Sequence, residues 1–319
     1  MPSRQDRLIH WLLGSLDLQT TLFHLGQYCG SWQASTSGLA RAGFHLILDG
    51  ECWLHLPQQA ARQKLEAGDA LFFLRDTPHV LSPHEQPERA AGAPRVAMQP
   101  IAPPVAGGVA LACGFFEFRA RLGDTLLASF PDHVVIRRDG GELAELRPLF
   151  DLVLAEARAG GAGPSPLIAR LVDLMFFYVV RHLCRRNEVS AGLWAVLARP
   201  EFAPLLEAVV AEPGRDWDVG TMAGLSRMSR ATFFKRFAQT AGTSPAQFVA
   251  QVRMQVATQL IGHGMSLSRA AEQVGYQSDA AFSRAFKKIT GTLPGAFRRA
   301  AAARPDGETF EQERPTFAH

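Results

Sequence analysis

The sequence predicts an α+β protein: a small antiparallel β-barrel with attached helices, followed by an all-α region built from two helix-turn-helix units. Three observations predict it. Short strand-like runs separated by Gly, Asp and Pro turns occupy much of the chain up to Phe118. Helical periodicity takes over from Glu142. Within the last third, one helical pattern occurs twice.

Composition bounds the answer first. The 319 residues suggest two domains, with room for three. With 47% hydrophobic and 20% charged residues, the chain reads as globular rather than disordered or fibrous. Its longest strongly apolar run, Leu171 to Val180, contains Asp173 and falls short of the roughly 20 residues a membrane span needs. Met1 to Asp17 carries Asp6, His10 and Gly14 and does not read as an export signal, so the cytoplasm is the expected location. Cys29, Cys52, Cys113 and Cys184 form no C-x-x-C pair, which argues against a disulfide framework and a zinc finger. Charge is uneven. Residues 201–304 hold 13 Lys plus Arg and 7 Asp plus Glu, a surplus of +6, whereas the remaining 20 basic and 23 acidic residues give −3. A basic C-terminal third suits a polyanion partner.

The N-terminal elements follow in order. Phe44–Leu48 and Cys52–Leu56 read as strands, with an Asp49-Gly50 turn signal between them. A two-residue hairpin would pair Leu48 with Glu51 and Ile47 with Cys52. Alternation then sets His45, Ile47, Cys52 and Leu54 on one face. Ala70–Leu74, His79–Leu81 and Leu111–Phe118 are further strands, and 82–109 reads as a long loop. Leu146–Ala157 is helical, and Gly160–Pro166 breaks the chain. Ile168, Leu171, Val172, Met175, Phe176, Val179, Val180 and Leu183 then fall at helical spacing, with Leu174, Phe177 and Tyr178 off that stripe. So broad an apolar face is buried within the chain or shared with a second copy in a homodimer.

The C-terminal repeat relates Val219–Phe248 to Ser268–Phe297. Phe233/Phe237 match Phe282/Phe286, Gly242 matches Gly291, and Pro245 matches Pro294. Each unit reads as a short helix, a turn and a longer helix. The i, i+4 phenylalanines anchor each second helix, small Ala223 and Ala271 permit close packing, and Ser229 and Ser278 are placed to cap. Gly275 supplies a permissive turn in the second unit. Arg227 stands there in the first, which implies a different or strained turn. Between the units, Phe248, Val252, Val256 and Leu260 mark a long helix from Pro245 to Ile261, about 26 Å. Such a helix can hold two reading helices near the spacing of successive major-groove segments, about 34 Å.

The residues Trp217-Asp218-Val219, Met222-Ala223, Met228-Ser229-Arg230, Arg236-Phe237, Ser244-Pro245, Arg253-Met254, Val274-Gly275-Tyr276 and Ala281–Lys287 resemble the DNA-binding domain of AraC/XylS-type transcription regulators. Phe44-His45-Leu46, Gly50, Trp53-Leu54, Gly68-Asp69, Pro78–Leu81 and Cys113-Gly114 are similar to the cupin-type sensor domain of one branch of that family. The resemblance implies a transcription regulator, usually an activator, that acts on promoter DNA and with RNA polymerase. It implies a cupin-like regulatory domain over 1–190, a linker over 191–203 and a DNA-binding domain over 204–302. The helix-turn-helix units fall at about 219–241 and 267–290, and 303–319 reads as a flexible tail.

Carried onto this chain, the first reading helix offers Arg230, Ala231, Phe234 and Lys235. The second offers Asp279, Ala280, Ser283, Arg284 and Lys287. Arg can pair with guanine, Ala or Phe can pack on a thymine methyl, and Lys can bind phosphate. Arg236 is expected to be structural or phosphate-facing.

The effector has three candidate chemistries. His45, His79 and Cys113 lie on strands or strand starts and offer two imidazoles and a thiolate for Zn²⁺ or Ni²⁺. Cys52 and Cys113 are candidates for a redox sensor. An apolar barrel can also take an organic ligand. His55 and His84 are expected to be surface or structural. The expected function is non-enzymatic. The rivals are a metal-dependent cupin enzyme with a DNA-binding tail, against which the broken His motif argues, and an architectural DNA binder without effector.

Overall fold

The computed structural model describes residues 4–13, 18–59, 61–86, 99–101, 105–118, 129–138, 140, 143–159, 165–186, 188–189 and 191–302. The expected tail 303–319 and much of the expected 82–109 loop lie outside them. A first helix, α1 (Arg4–Leu13), precedes eight strands: β1 (Leu18–Tyr28), β2 (Ala42–Asp49), β3 (Glu51–Leu56), β4 (Ala61–Glu66), β5 (Ala70–Phe73), β6 (Val80–Ser82), β7 (Val109–Phe118) and β8 (His133–Ile136). All pairings are antiparallel and make two sheets, β1-β7-β2-β5-β8 and β4-β3-β6. Among the described residues the strands form two facing sheets rather than one closed barrel.

Period-two alternation makes the larger sheet amphipathic toward two different cores. Ile47, Leu71, Phe73, Leu111 and Cys113 point inward and meet Cys52, Leu54, Leu65 and Leu81 of the smaller sheet. Phe44, Leu46, Phe72, Ala112 and Phe116 point outward into a helical layer. The expected β2–β3 hairpin does not form. Both expected strands are present, but β2 pairs with β5 and β7, while β3 pairs with β4 and β6. Gly50, at φ +75°, hands the chain from one sheet to the other, and a Cβ there would collide with the Gly108 carbonyl. Ile47, Cys52 and Leu54 still share an interior because the two sheets face each other.

The helical layer begins with α2 (Leu146–Ala159) and α3 (Pro166–Arg185). Ser165 caps α3, and Ile168, Val172, Met175, Phe176, Val179, Val180 and Leu183 are buried within the chain. Leu152, Leu167 and Leu174 remain exposed on its outer side. The segment expected as a linker carries a helix and is partly buried, with Arg199 and Pro200 exposed. Helix α4 (Gly192–Ala198) buries Leu193 through Ala198, and Phe130 meets Trp194 edge-on at 5.4 Å. Helix α5 (Ala203–Ala211) follows.

The C-terminal helices are α6 (Val219–Leu225), α7 (Arg230–Ala241), α8 (Pro245–Gly262), α9 (Leu267–Gln273), α10 (Asp279–Thr290) and α11 (Pro294–Ala302). Phe237 packs among Phe202, Phe233 and Phe248, with ring centroids 4.9–5.2 Å apart. Helix α1 ties the layers together. Its apolar face is buried, Asp6 pairs with Arg185 of α3 (2.5 Å), Arg7 with Glu207 of α5 (2.8 Å), and Trp11 Nε1 donates to Gln259 of α8 (2.9 Å).

Candidate nucleic-acid interface and sensor site

Two helix-turn-helix units lie at the residues the repeat indicates. Ser229 caps α7 by accepting from Thr232 N, and Ser278 caps α10 by accepting from Ala281 N. Both helices end on a left-handed glycine, Gly242 at φ 64° and Gly291 at φ 79°. Phe233, Phe237, Phe282 and Phe286 face inward with at most 1% exposure. Arg227 adopts φ +53°, the same left-handed turn that Gly275 makes at φ +83°. The first unit therefore keeps the turn and carries its backbone strain.

With the phenylalanines buried, the opposite faces reach solvent. Arg230, Ala231, Phe234 and Lys235 of α7 are exposed, as are Asp279, Ala280, Arg284 and Lys287 of α10; Ser283 is half-buried. Phe234 is 51% exposed, so it is not a core residue, and an apolar ring held in water suits a partner surface. Arg236 pairs with Glu201 (3.1 Å), a structural contact. Between the units, α8 is fixed by a Ser244/Gln247 capping box and by Arg253, which donates to the carbonyls of Pro213 and Arg215.

The residues expected to serve an effector also come together. Cys113 lies on the central strand β7 and is directly opposite His45 on β2 and His24 on β1. A β-bulge between Leu22 and His24 turns His24 toward the interior. His45 Nδ1 lies 2.9 Å from Cys113 Sγ, and its Nε2 lies 2.9 Å from His79 Nε2. The Thr77 carbonyl can only accept, so His79 Nδ1 donates to it (2.8 Å), and Thr36 N–H donates to His79 Nε2 (3.3 Å). These partners assign the tautomers. The Cys113 thiol donates to His45 Nδ1, and His45 Nε2–H donates to His79. Sequence reasoning missed His24 because β1 was not read as a strand, although its Thr, Phe and Tyr favour one.

Burial dominates the titration of this cluster. It drives His45 well below its ordinary value, helped by the charges of His79 and His24. It lowers His79 and His24 each to about 4. It raises Cys52 to about 12 and pushes the Cys113 thiol higher still. At neutral pH the cluster is a neutral thiol–imidazole–imidazole chain.

The expected Zn²⁺ or Ni²⁺ donors His45, His79 and Cys113 are neighbours, arranged here as a hydrogen-bonded chain. A shared metal needs three donors around one point at about 2.0–2.3 Å. Here Cys113 and His79 lie on opposite nitrogens of the His45 ring. Among the described residues no three or more His, Cys, Asp or Glu are grouped to hold a metal ion. His55 is buried and structural, bonded to Ser82 Oγ (3.0 Å) and to the His84 carbonyl (3.1 Å).

Comparison with known proteins decides the family. A cupin family model matches residues 7–185, and a helix-turn-helix domain model matches residues 222–300. A Haemophilus influenzae HTH-type transcriptional regulator is 30% identical over 286 residues, covering 86% of this chain and 93% of its own. The chain belongs to the AraC-type family of transcriptional regulators. Other relatives share this architecture along most of their length. The Escherichia coli RCS-specific HTH-type transcriptional activator RclR is 26% identical, with 77% of this chain and 83% of that protein covered. The Neisseria gonorrhoeae HTH-type transcriptional regulator MtrA is 24% identical, with 90% and 94% covered. As an AraC-type regulator the chain binds DNA. Among the described residues no helix is long and apolar enough to cross a membrane.

Proposed function

We propose that this protein is a sequence-specific transcriptional activator whose DNA affinity responds to oxidation of Cys113. The observation that carries the reading is the thiol itself, held 2.9 Å from an imidazole that is backed by a second imidazole. In the DNA-bound state α7 and α10 enter successive major-groove segments. Ala231, Phe234, Ser283 and Arg284 reach base edges, and Lys235 and Lys287 bind phosphate. The activator sign follows the relative RclR, named an RCS-specific activator, and brings RNA polymerase in as a partner. The exposed leucines of α2 and α3, Leu152, Leu167 and Leu174, suit a second copy of the chain.

The chemical step is a two-electron oxidation. The Cys113 sulfur attacks the oxygen of a hydroperoxide, or the halogen of a hypohalous acid, while its proton passes to His45, so that no free thiolate forms in the buried site. With a hydroperoxide the O–O bond breaks, water or alcohol leaves with that proton, and sulfenic acid forms directly; with a hypohalous acid the O–halogen bond breaks to a sulfenyl halide and water, and hydrolysis gives the same sulfenic acid and a hydrogen halide. Burial restricts the oxidant to a small, uncharged molecule. The Cys52 thiol lies in the same apolar cluster as Cys113 and can condense with the sulfenic acid, releasing water.

The test uses full-length protein and a duplex selected from a randomised library. Addition of one equivalent of hydrogen peroxide or hypochlorous acid should change wild-type affinity for that duplex and leave Cys113→Ser unchanged. Equal responses in both proteins refute the sensor reading. Failure to enrich any sequence refutes the DNA-reading function.

A further inference from the structure

We propose that Arg230 is a positioning residue that packs the first reading helix onto α6, leaving base reading in that unit to Ala231 and Phe234. This rests on the DNA-reading function proposed above. Arg230 is the first residue of α7, yet its side chain folds back over the first turn of α6. A Cβ built on Gly220 would lie 2.7 Å from Arg230 Nη2, 2.9 Å from its Nε and 2.9 Å from Asp218 Oδ1. The guanidinium therefore fills the space that the missing Gly220 side chain leaves, beside the Asp218 carboxylate.

Asp218 is itself fixed. It caps α6 by accepting from Gly220 N (2.7 Å), Thr221 N (3.1 Å) and Thr221 Oγ1 (2.5 Å). Those bonds, Thr221's first, hold its carboxyl below the ordinary value, and the Arg230 charge adds to them. A cation at the start of α7 opposes that helix's own dipole. Helix stability therefore does not explain Arg230, whereas its place over α6 does.

The second unit brings the same two points together by a hydrogen bond instead of packing. The repeat places Asp279 where the first unit has Arg230, and Ser268 where it has Gly220. Ser268 Oγ donates to Asp279, 3.2 Å and 3.3 Å from its two oxygens. In each unit the first residue of the reading helix meets the first turn of the preceding helix, by packing over Gly220 in the first and by a hydrogen bond to Ser268 in the second. A guanidinium that read guanine would have to leave this place and present its fork in the groove, uncovering Asp218.

Two variants separate positioning from reading. Arg230→Ala removes the guanidinium. Gly220→Ala keeps Arg230 but displaces it, and it adds a better helix former to α6. Each full-length variant is selected against a randomised duplex library and titrated on the wild-type duplex at several salt concentrations. Both should lose affinity about three- to tenfold, with base preference at every position and the salt slope unchanged. A changed base preference in Arg230→Ala overturns the proposal in favour of base reading. A salt slope smaller by about one overturns it in favour of phosphate binding. Wild-type affinity in either variant also overturns it. A wild-type protein that enriches no sequence refutes instead the DNA-reading function on which the proposal rests.

Discussion

Acid should unfold the cupin domain through its buried histidines, and His79→Asn should remove part of that sensitivity. His79 and His24 each fall from the ordinary 6.5 to about 4 on folding, both through burial. Their folded values are depressed, so the unfolded chain takes up the proton first. The stability they confer is complete above pH 6.5 and is lost as pH falls toward 4. Between pH 7 and pH 5 each should cost about 2 kcal/mol, and the two together about 4 kcal/mol. That is a large part of the 5–15 kcal/mol typical of a domain. Asn at position 79 can keep the donor to the Thr77 carbonyl but cannot titrate. Urea unfolding followed by fluorescence at several pH values measures the slope. His79→Asn should show a weaker pH dependence than wild type, smaller by about 2 kcal/mol over that interval, whatever its stability at pH 7. A wild-type stability that is flat from pH 7 to 5 would refute the reasoning, because the histidines would then titrate alike in both states.

Two further substitutions test the helix-turn-helix units. Arg227→Gly should stabilise the protein by about 1 kcal/mol, read as a raised thermal midpoint, by relieving the left-handed turn at φ +53°; an unchanged or lowered midpoint would show that the turn is not strained. Phe237→Ala should cost about 3–5 kcal/mol in chemical denaturation, since its ring is 0% exposed and meets three other phenylalanines; a loss below about 1 kcal/mol would place it outside the core.

The two reading units were legible because their signals are local. Caps, left-handed glycines and i, i+4 phenylalanines act within a single turn, and the repeat displays them twice. The strands were legible as segments but not as partners. Asp49-Gly50 identifies a turn, and the same turn chemistry serves a hairpin or a passage between sheets, so the β2–β3 pairing was misread. Helix α4 was taken for a linker because seven residues show no full period, although Leu193 through Ala198 are all small or apolar. The grouping of His45, His79 and Cys113 was read from their places on strands or strand starts. Their arrangement as a chain rather than a cage depends on the direction of one imidazole ring, which no spacing records. Gly220 carried no signal either, because its role is the room it leaves for a side chain ten residues away.

Cys113 is connected to α8, the helix between the two reading helices, by ring packing, an ion pair and hydrogen bonds. The strand that carries Cys113 turns Phe116 to its other face, where the ring meets Phe176 of α3 at 4.7 Å. Helix α3 is ion-paired to α1 through Arg185 and Asp6, and α1 reaches α8 through the reciprocal bonds of Trp11 and Gln259. Packing alone does not transmit a signal, because coupling requires an element with two arrangements. Helix α3 is a poor candidate, since its apolar stripe is fully buried in the core and moving it would expose that stripe. Helix α1 is the better one. Arg7 is more than half exposed in its pair with Glu207, and water can replace such polar contacts at little cost. What resists its release is the burial of Leu8, Ile9, Leu12 and Leu13. An oxidised, swollen Cys113 would therefore act by loosening the surface on which those four side chains rest.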